Sequence, residues 1–510
     1  LTNYPFIHSD ESWLSGLSRQ ILKSKSFATT EPFFDLYPRS PHAIKIIFQL
    51  IQIIFLRIFS YNIFSFRLIS LIAGTVSLYY FYKIAKYMTK SKILSNLAVI
   101  ILGIDIHFIY SSHLARQEII LVLIFLIATY YYVTNYLPES NFDMKKSNDH
   151  SSNYNINLKK DIILALIIGL SIGIHPNSFI IALPFILIYT YNLFFSERVK
   201  FKNYFAFGGT LAFIAVLFIL LSIKFNSSFF INYANYGNRL GVFSSIFTKI
   251  DRLDYFYKKI FYRVSGTYYI PPIKFQLILF GVTFIFSLIK LYFKKSYKVL
   301  FLITGVLGIN LGYILIGRYN QTSIIFIFPI FYLLIINLLA SVKIKYSSIL
   351  AFILISILTF TSTQAIINDS HYNYDNYIKN IASVLDPDDK VLANLNTEYY
   401  FNNGNLLDYR NLAYLSEHNL TFAEYIEKNN IEYIIYPEEM DFIYNTRPVW
   451  NILYGNLYPY YNEMNNYLNK NTKLIHEFTN KTYAMRIVRY IDKKDWKVKI
   501  YKVKEPHQSP

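Results

Sequence analysis

Four clusters of ionisable residues interrupt an otherwise strongly apolar chain, and their types suit proton transfer and anion binding. The first is His8-Ser9-Asp10-Glu11, ahead of SWLSGLSRQIL. Asp10 can open a helix as its cap, with Glu11 in the first turn, or take a proton from a hydroxyl as a general base; the two roles are compatible. The second is Asp105 and His107, followed by His113-Leu114-Ala115-Arg116-Gln117-Glu118. Asp105 falls inside an apolar run and is expected to face a cavity or a polar partner rather than lipid. Arg116 and Glu118 open the next run, as an ion pair, an interfacial anchor or part of a site. The third, His175-Pro176-Asn177, has ordinary turn chemistry around a lone histidine. The fourth is Gly317-Arg318-Tyr319 between two apolar runs, where Arg318 either anchors the interface or clamps a phosphate.

The elements that must position these clusters follow from composition. Of 510 residues, 54% are hydrophobic and 16% charged, against about 25% charged in soluble proteins. Stretches of about 18 to 24 residues with almost no charge recur, long enough to cross a bilayer. They fall near 66–87, 93–112, 118–137, 161–178, 179–195, 204–224, 273–293, 299–317, 319–340 and 345–367. The expected fold is a polytopic α-helical membrane protein of about 10 to 12 helices. The formal charge of +18 sits mostly between the apolar runs, as topology signals do, which argues against nucleic acid as a partner. Without cysteine there is no disulfide, thiolate metal site or thiol nucleophile.

Lysines and arginines fill every second connection: 83–92, 145–160, 198–202, 290–298 and 343–345. By the positive-inside rule these are cytoplasmic, and the polar segment 138–160 reads as a disordered cytoplasmic loop. The other connections, including the long loop 225–272 and everything after 367, then lie outside, with all four ionisable clusters. Loop 225–272 carries Arg239, Lys249, Arg252, Lys258, Lys259 and Arg263, which meet either anionic headgroups or a substrate phosphate. Segment 42–61, with His42, Lys45, Gln52 and Arg57, reads as an interfacial or shallowly re-entrant helix. A further spanning helix is then expected before Leu1. The chain thus divides into an outer loop with juxtamembrane helices (1–65), a transmembrane domain (66–367) and an extracytoplasmic α/β domain (368–510). In the last, strands are expected at Val391–Leu395, Ile431–Tyr436 and Trp496–Val503, and a helix at Thr421–Asn429.

Five blocks, in order, carry a resemblance: HSDESW, FRLISLIAGTVSLYYFYKIAKYM, SSHLARQEIILVL, GLSIGIHPNSFIIALP and GRYNQTSIIFIFPIF. Over residues 5–340 the chain resembles the GT-C membrane glycosyltransferases, in the branch of protein O-mannosyltransferases and aminoarabinose transferases (glycosyltransferase family 39-like). The resemblance implies a polyprenyl-monophosphate sugar donor, no nucleotide sugar at the active site, inversion at the anomeric centre, and an acceptor hydroxyl on a protein, lipid or glycan. It implies Asp10 as catalytic base with Glu11 supporting it. It also implies a substrate-binding group of Arg116, Glu118, Arg318, Tyr319 and His175. Some members bind a divalent metal, and the spacing of Asp10 and His175 does not decide the matter here. The chain departs from the family in three places: no lumenal-domain motifs of the mannosyltransferases occur in 368–510, Glu118 stands where Asp is frequent, and 31–41 matches the proline-rich segment only loosely.

Two rival readings remain. A flippase or transporter of lipid-linked saccharide would also combine many helices with basic lipid contacts, although it should carry deep midplane charges or repeated halves. A polymerase or ligase using diphosphate-linked oligosaccharides would centre on arginines and a histidine in large outer loops.

Overall fold

The structure, a computed structural model, describes residues 1–137, 157–196, 199–239, 241–264, 269–317, 320–369, 374–483 and 495–504. Among these, seven helices are long and apolar enough to cross a bilayer: Ile63–Thr89, Glu118–Tyr136, Phe201–Phe225, Lys274–Lys294, Tyr297–Ile316, Gln321–Leu339 and Ile344–Asn368. Lys92–Gly103 and Ile106–His113 make an eighth span if taken together, bent by 64°. The bend has a local cause. Asp105 caps the second half, accepting from the N–H groups of His107 and Phe108 at 2.8 and 3.0 Å. Its other oxygen accepts from Gln276 and Tyr332, so this carboxylate is buried and fully engaged inside the bundle.

Two expected runs give shorter helices, the 12-residue Leu158–Gly169 with a 3-10 turn after it, and the 17-residue Ser178–Phe194. Segment 42–61 yields the 14-residue helix Ile46–Phe59, short of the roughly 20 residues that span a hydrocarbon core. Loop 225–272 holds two amphipathic helices, Phe229–Arg239 and Ile246–Phe261. Much of the polar segment 138–160 lies outside the described residues.

Close packing at the bundle centre rests on small residues. A Cβ on Gly308 would lie 2.5 Å from the Pro184 nitrogen, and one on Gly312 would lie 2.9 Å from the Ile180 Cα. This four-residue spacing of glycines brings two backbones together, which matters where lipid supplies no hydrophobic drive for helix association.

Contacts sort the connections into two ends. Lys298 Nζ donates to the Met88 carbonyl, Tyr87 to the Leu137 carbonyl, and Lys290 to Asn337 and Ser341. Asp161 gathers Tyr136, Tyr189 and Asn203. The lysine-bearing turns therefore share one end of the bundle. Asp10, Arg116, Glu118 and His175 meet elsewhere.

The C-terminal domain is a five-stranded sheet in the order β2-β1-β3-β5-β4. Its strands are β1 (Val391–Ala393), β2 (Leu406–Asp408), β3 (Tyr433–Pro437), β4 (Thr472–Asn480) and β5 (Trp496–Val503). β2, β1 and β3 run parallel, whereas β5 is antiparallel to both β3 and β4. The expected helix at 421–429 is Phe422–Lys428, closed by a Thr421/Glu424 capping box.

Candidate active site

The helix Ser9–Ser24 presents the first carboxylates. His8 is its cap, and the Glu11 side chain returns to the His8 N–H at 2.9 Å, so the turn holding Asp10 is locked on both sides. Asp10 and Glu11 then part. Glu11 is fully buried and accepts both forks of Arg67, at 2.8 and 2.9 Å, together with the Ala115 N–H at 2.8 Å. Arg67 spends its remaining donors on the carbonyls of Leu1 and Pro5. Asp10 keeps 26% of its side chain exposed, with Oδ2 2.6 Å from Arg116 Nη1. Of the two carboxylates, only Asp10 reaches the site.

Arg116 ties three elements together. Besides Asp10 it holds Glu118 at 3.1 Å, and Glu118 accepts the Thr322 hydroxyl from the start of the segment Gln321–Leu339. His175 lies within electrostatic reach of Glu118, and its Nδ1 accepts the Asn177 N–H at 2.9 Å. His107 is buried within electrostatic reach of Glu118 and beside the Thr322 backbone. The structure thus brings Asp10, Arg116, Glu118 and His175 into one site. Arg318 and Tyr319 lie outside the described residues. They follow Gly317, whose positive φ of 67° closes the helix Tyr297–Ile316.

Beside this group stands a basic cluster. Glu31 is buried and accepts two bonds from Arg39, at 2.9 and 3.0 Å, and one from the Trp13 indole at 2.6 Å. Burial alone would raise the Glu31 pKa, but Arg39 outweighs it and holds the carboxyl at about 2. Burial, then Lys45 and Arg39, push His42 down to about 3, so the imidazole is neutral, and its Nδ1 has no protein partner. Burial and the neighbouring Arg39 likewise lower the Lys45 pKa, with Arg116 in electrostatic range. No carboxylate pairs with Lys45 among the described residues. It sits at the N-terminal cap of Ile46–Phe59, where the helix dipole is itself positive and opposes a cation. Glu31 is committed to Arg39, which leaves Lys45 and the helix dipole to oppose one another unless a further anion joins them, and helix N-termini bind phosphate readily.

Three basic residues of loop 225–272 have protein partners. Lys249 Nζ donates to the Leu315 carbonyl at 2.8 Å, Lys258 pairs with Asp254 one turn away, and Arg263 donates to the Ile270 carbonyl. As for metal, no three His, Asp or Glu among the described residues converge on a cation site. Asp10, Glu11 and Glu118 each face an arginine, so this donor set does not fit a divalent cation.

The basic cluster and Arg67 escaped the sequence reading as site components. Arg67 did leave a signal: a charge within the first turns of an apolar run needs a buried partner. So did Lys45, a cation at the wrong end of a helix.

Comparison with known proteins agrees with this architecture. The sequence profile of the family described as dolichyl-phosphate-mannose-protein mannosyltransferase matches residues 42–145. The fold is similar to the Archaeoglobus fulgidus oligosaccharyltransferase, crystallised with a tethered acceptor peptide, at 13% identity and TM-score 0.54 over 86% of this chain. The chain spans 66% of that enzyme's length, just short of two thirds. It is also similar to ArnT from Cupriavidus metallidurans bound to undecaprenyl phosphate, at 12% identity and TM-score 0.52, over 80% of this chain and 86% of that one. No curated protein matches the chain in sequence. Membrane-spanning helices, a small C-terminal sheet and these likenesses give the chain the GT-C fold of membrane glycosyltransferases.

Proposed function

We propose that this protein is a membrane glycosyltransferase that moves a sugar from a polyprenyl-monophosphate carrier to an acceptor hydroxyl on the outer face of the membrane. The observation that carries the reading is a part-exposed carboxylate, Asp10, fixed by Arg116, with Lys45, which forms no ion pair among the described residues, in electrostatic range of that arginine. The similarity to ArnT bound to undecaprenyl phosphate, and to AglB from Archaeoglobus fulgidus in complex with dolichol phosphate at TM-score 0.50 and 13% identity, points to the same donor class.

In the proposed reaction the lipid tail stays among the helices while Lys45, Arg116 and Arg318 receive the phosphate. The acceptor oxygen attacks the anomeric carbon from the face opposite the phosphate, and Asp10 takes the hydroxyl proton. The bond from the anomeric carbon to the phosphate oxygen breaks, leaving polyprenyl phosphate with its added charge on the cations. A single displacement inverts the configuration. Glu11 does not touch substrate here; it pins the helix and the Ala115 backbone that set Asp10 and Arg116. His175, within electrostatic reach of Glu118, faces the substrate, and Tyr319 is proposed to contact it as well.

The test is transfer of label from a panel of polyprenyl-phosphate sugars, in proteoliposomes containing the protein. Labelled product from one donor supports the reading and names the sugar. Label that crosses the bilayer still attached to its lipid, with no product from any donor, would replace it with the flippase reading.

A further inference from the structure

The C-terminal domain grips the back of the helix that carries Asp10. Along Ser9–Ser24, Ser12 donates to the Leu395 carbonyl at 2.7 Å and Ser15 to the Tyr399 hydroxyl at 3.0 Å. Arg19 donates to the Phe401 carbonyl at 2.9 Å and pairs with Glu398. Gln20 accepts from Asn403, and Lys23 donates to the Asn403 carbonyl. At 100° per residue, positions 12, 15, 19 and 23 point roughly opposite to position 10. Every one of these contacts comes from one segment, 395–403, which follows β1. The absence of a side chain at Gly16 lets Phe33 and Glu398 approach this face, since a Cβ there would meet them at 2.5 and 3.5 Å.

Glu398 is the centre of the grip. It is 1% exposed, and its carboxyl joins Arg19 of the Asp10 helix to Tyr61, which precedes the first long span. Arg19 also stacks on Tyr61, 3.9 Å from the ring centroid. Removing a partner from such a buried group leaves an uncompensated charge. A second contact from the same domain, Arg410, stacks on Trp13 one turn from Asp10, at 4.4 Å, and is held by Asp408. Polar side chains of the sheet domain, Glu398 and Arg410, thus reach this helix on two sides.

We infer that the C-terminal domain sets the position of the catalytic helix, and that Glu398, through Arg19 and Tyr61, is its positioning residue. The inference rests on the reading of Asp10 as the base. Glu398 itself lies behind the helix and touches no reacting group. The expected signature is a loss in kcat larger than any change in donor KM, because Lys45 lies on another element, and the Asp10 helix reaches the basic cluster only through Trp13 and Arg116 among the contacts described.

The protein has no cysteine, so a Gln20→Cys/Asn403→Cys pair can be joined by a short bifunctional thiol reagent without side reactions. In the full-length protein, Glu398→Gln and Arg19→Gln are each expected to lower kcat about tenfold or more, in line with the cost of misplacing a catalytic group by an ångström or less. Donor KM is expected to change less than kcat. Crosslinking the cysteine pair in the Glu398→Gln background restores most of the lost kcat, which a merely unfolded variant would not allow. An unchanged kcat, or a loss that the crosslink does not relieve, overturns the inference. The yield of the crosslink reports the grip without chemistry and is expected to fall in Glu398→Gln; equal yields overturn the inference whatever the transfer assay shows. Asp10→Asn in parallel separates the two claims. If that variant keeps full transfer, the base reading fails, while the crosslink yield still decides on the grip.

Discussion

Glu11 accepts both forks of Arg67 at 2.8 and 2.9 Å, and neither side chain reaches solvent. The pair joins the helix Ser9–Ser24 to the first long span, and through the Ala115 N–H it also fixes the segment that carries Arg116. Its loss should therefore register as instability before it registers as altered chemistry. Removing one partner of a buried ion pair costs about 3–5 kcal/mol. Arg67→Met and Glu11→Gln are each expected to lower the thermal unfolding midpoint markedly in detergent, whereas Asp10→Asn leaves it nearly unchanged. Equal midpoints for all three variants would contradict the division of labour between the adjacent carboxylates.

Lys45 offers the opposite signature. A part-buried cation near Arg39, at a helix N-terminus, costs stability until an anion binds. Lys45→Met is expected to raise the unfolding midpoint of the protein without donor. Because a hydrogen bond to a charged group contributes about 1.5–3 kcal/mol, the same change should weaken donor binding roughly ten- to hundredfold. Midpoints and donor KM measured on one preparation check both halves.

The Glu31–Arg39 pair makes part of the stability depend on pH. Arg39 holds the Glu31 carboxyl at about 2, below its ordinary 4.5. A depressed carboxyl contributes stability that is present above the ordinary value and is lost as pH falls through the folded one. The midpoint gap between the parent and Glu31→Gln is thus expected to be full at pH 7, to narrow below about 4.5 and to close toward pH 2. Thermal unfolding over a pH series reads this directly, and a gap that widens on acidification would reverse the assignment.

The proposed sidedness puts the lysine-bearing end of the bundle in the cytoplasm. Lys90 and Lys23 are both exposed and lie at the two different ends. Lys90→Cys is expected to react with a membrane-impermeant thiol reagent only from the cytoplasmic side, and Lys23→Cys only from the outer side. Labelling of both from one side would refute the arrangement.

How far the sequence anticipates the structure differs by element. Apolar runs mark the spans because lipid demands length and low charge, and IEYIIY and WKVKIYKV read as strands, matching β3 and β5. β2, three residues long, and β4, with the irregular TKLIHEFTN, lack a usable period. The convergence of Asp10, Arg116, Glu118 and His175 is visible through the alternation of basic loops, since every second connection must share a side. What stays hidden is pairing across long stretches of chain. Arg19 meets Glu398 from 379 positions away, and nothing in the local pattern of either residue names the other. Length of span misled at runs 161–178 and 93–112: the first passes from a helix into a 3-10 turn after Gly169, and the second is broken between Gly103 and Ile106.

The central claim is that Asp10 takes the acceptor's proton, and the most direct measurement is kcat for Asp10→Asn on the donor that the wild type uses. A general base contributes about 10²–10⁴-fold, so a loss of that size is expected, with the unfolding midpoint and the Gln20→Cys/Asn403→Cys crosslink yield both preserved. Transfer at the wild-type rate by the folded variant would contradict the account.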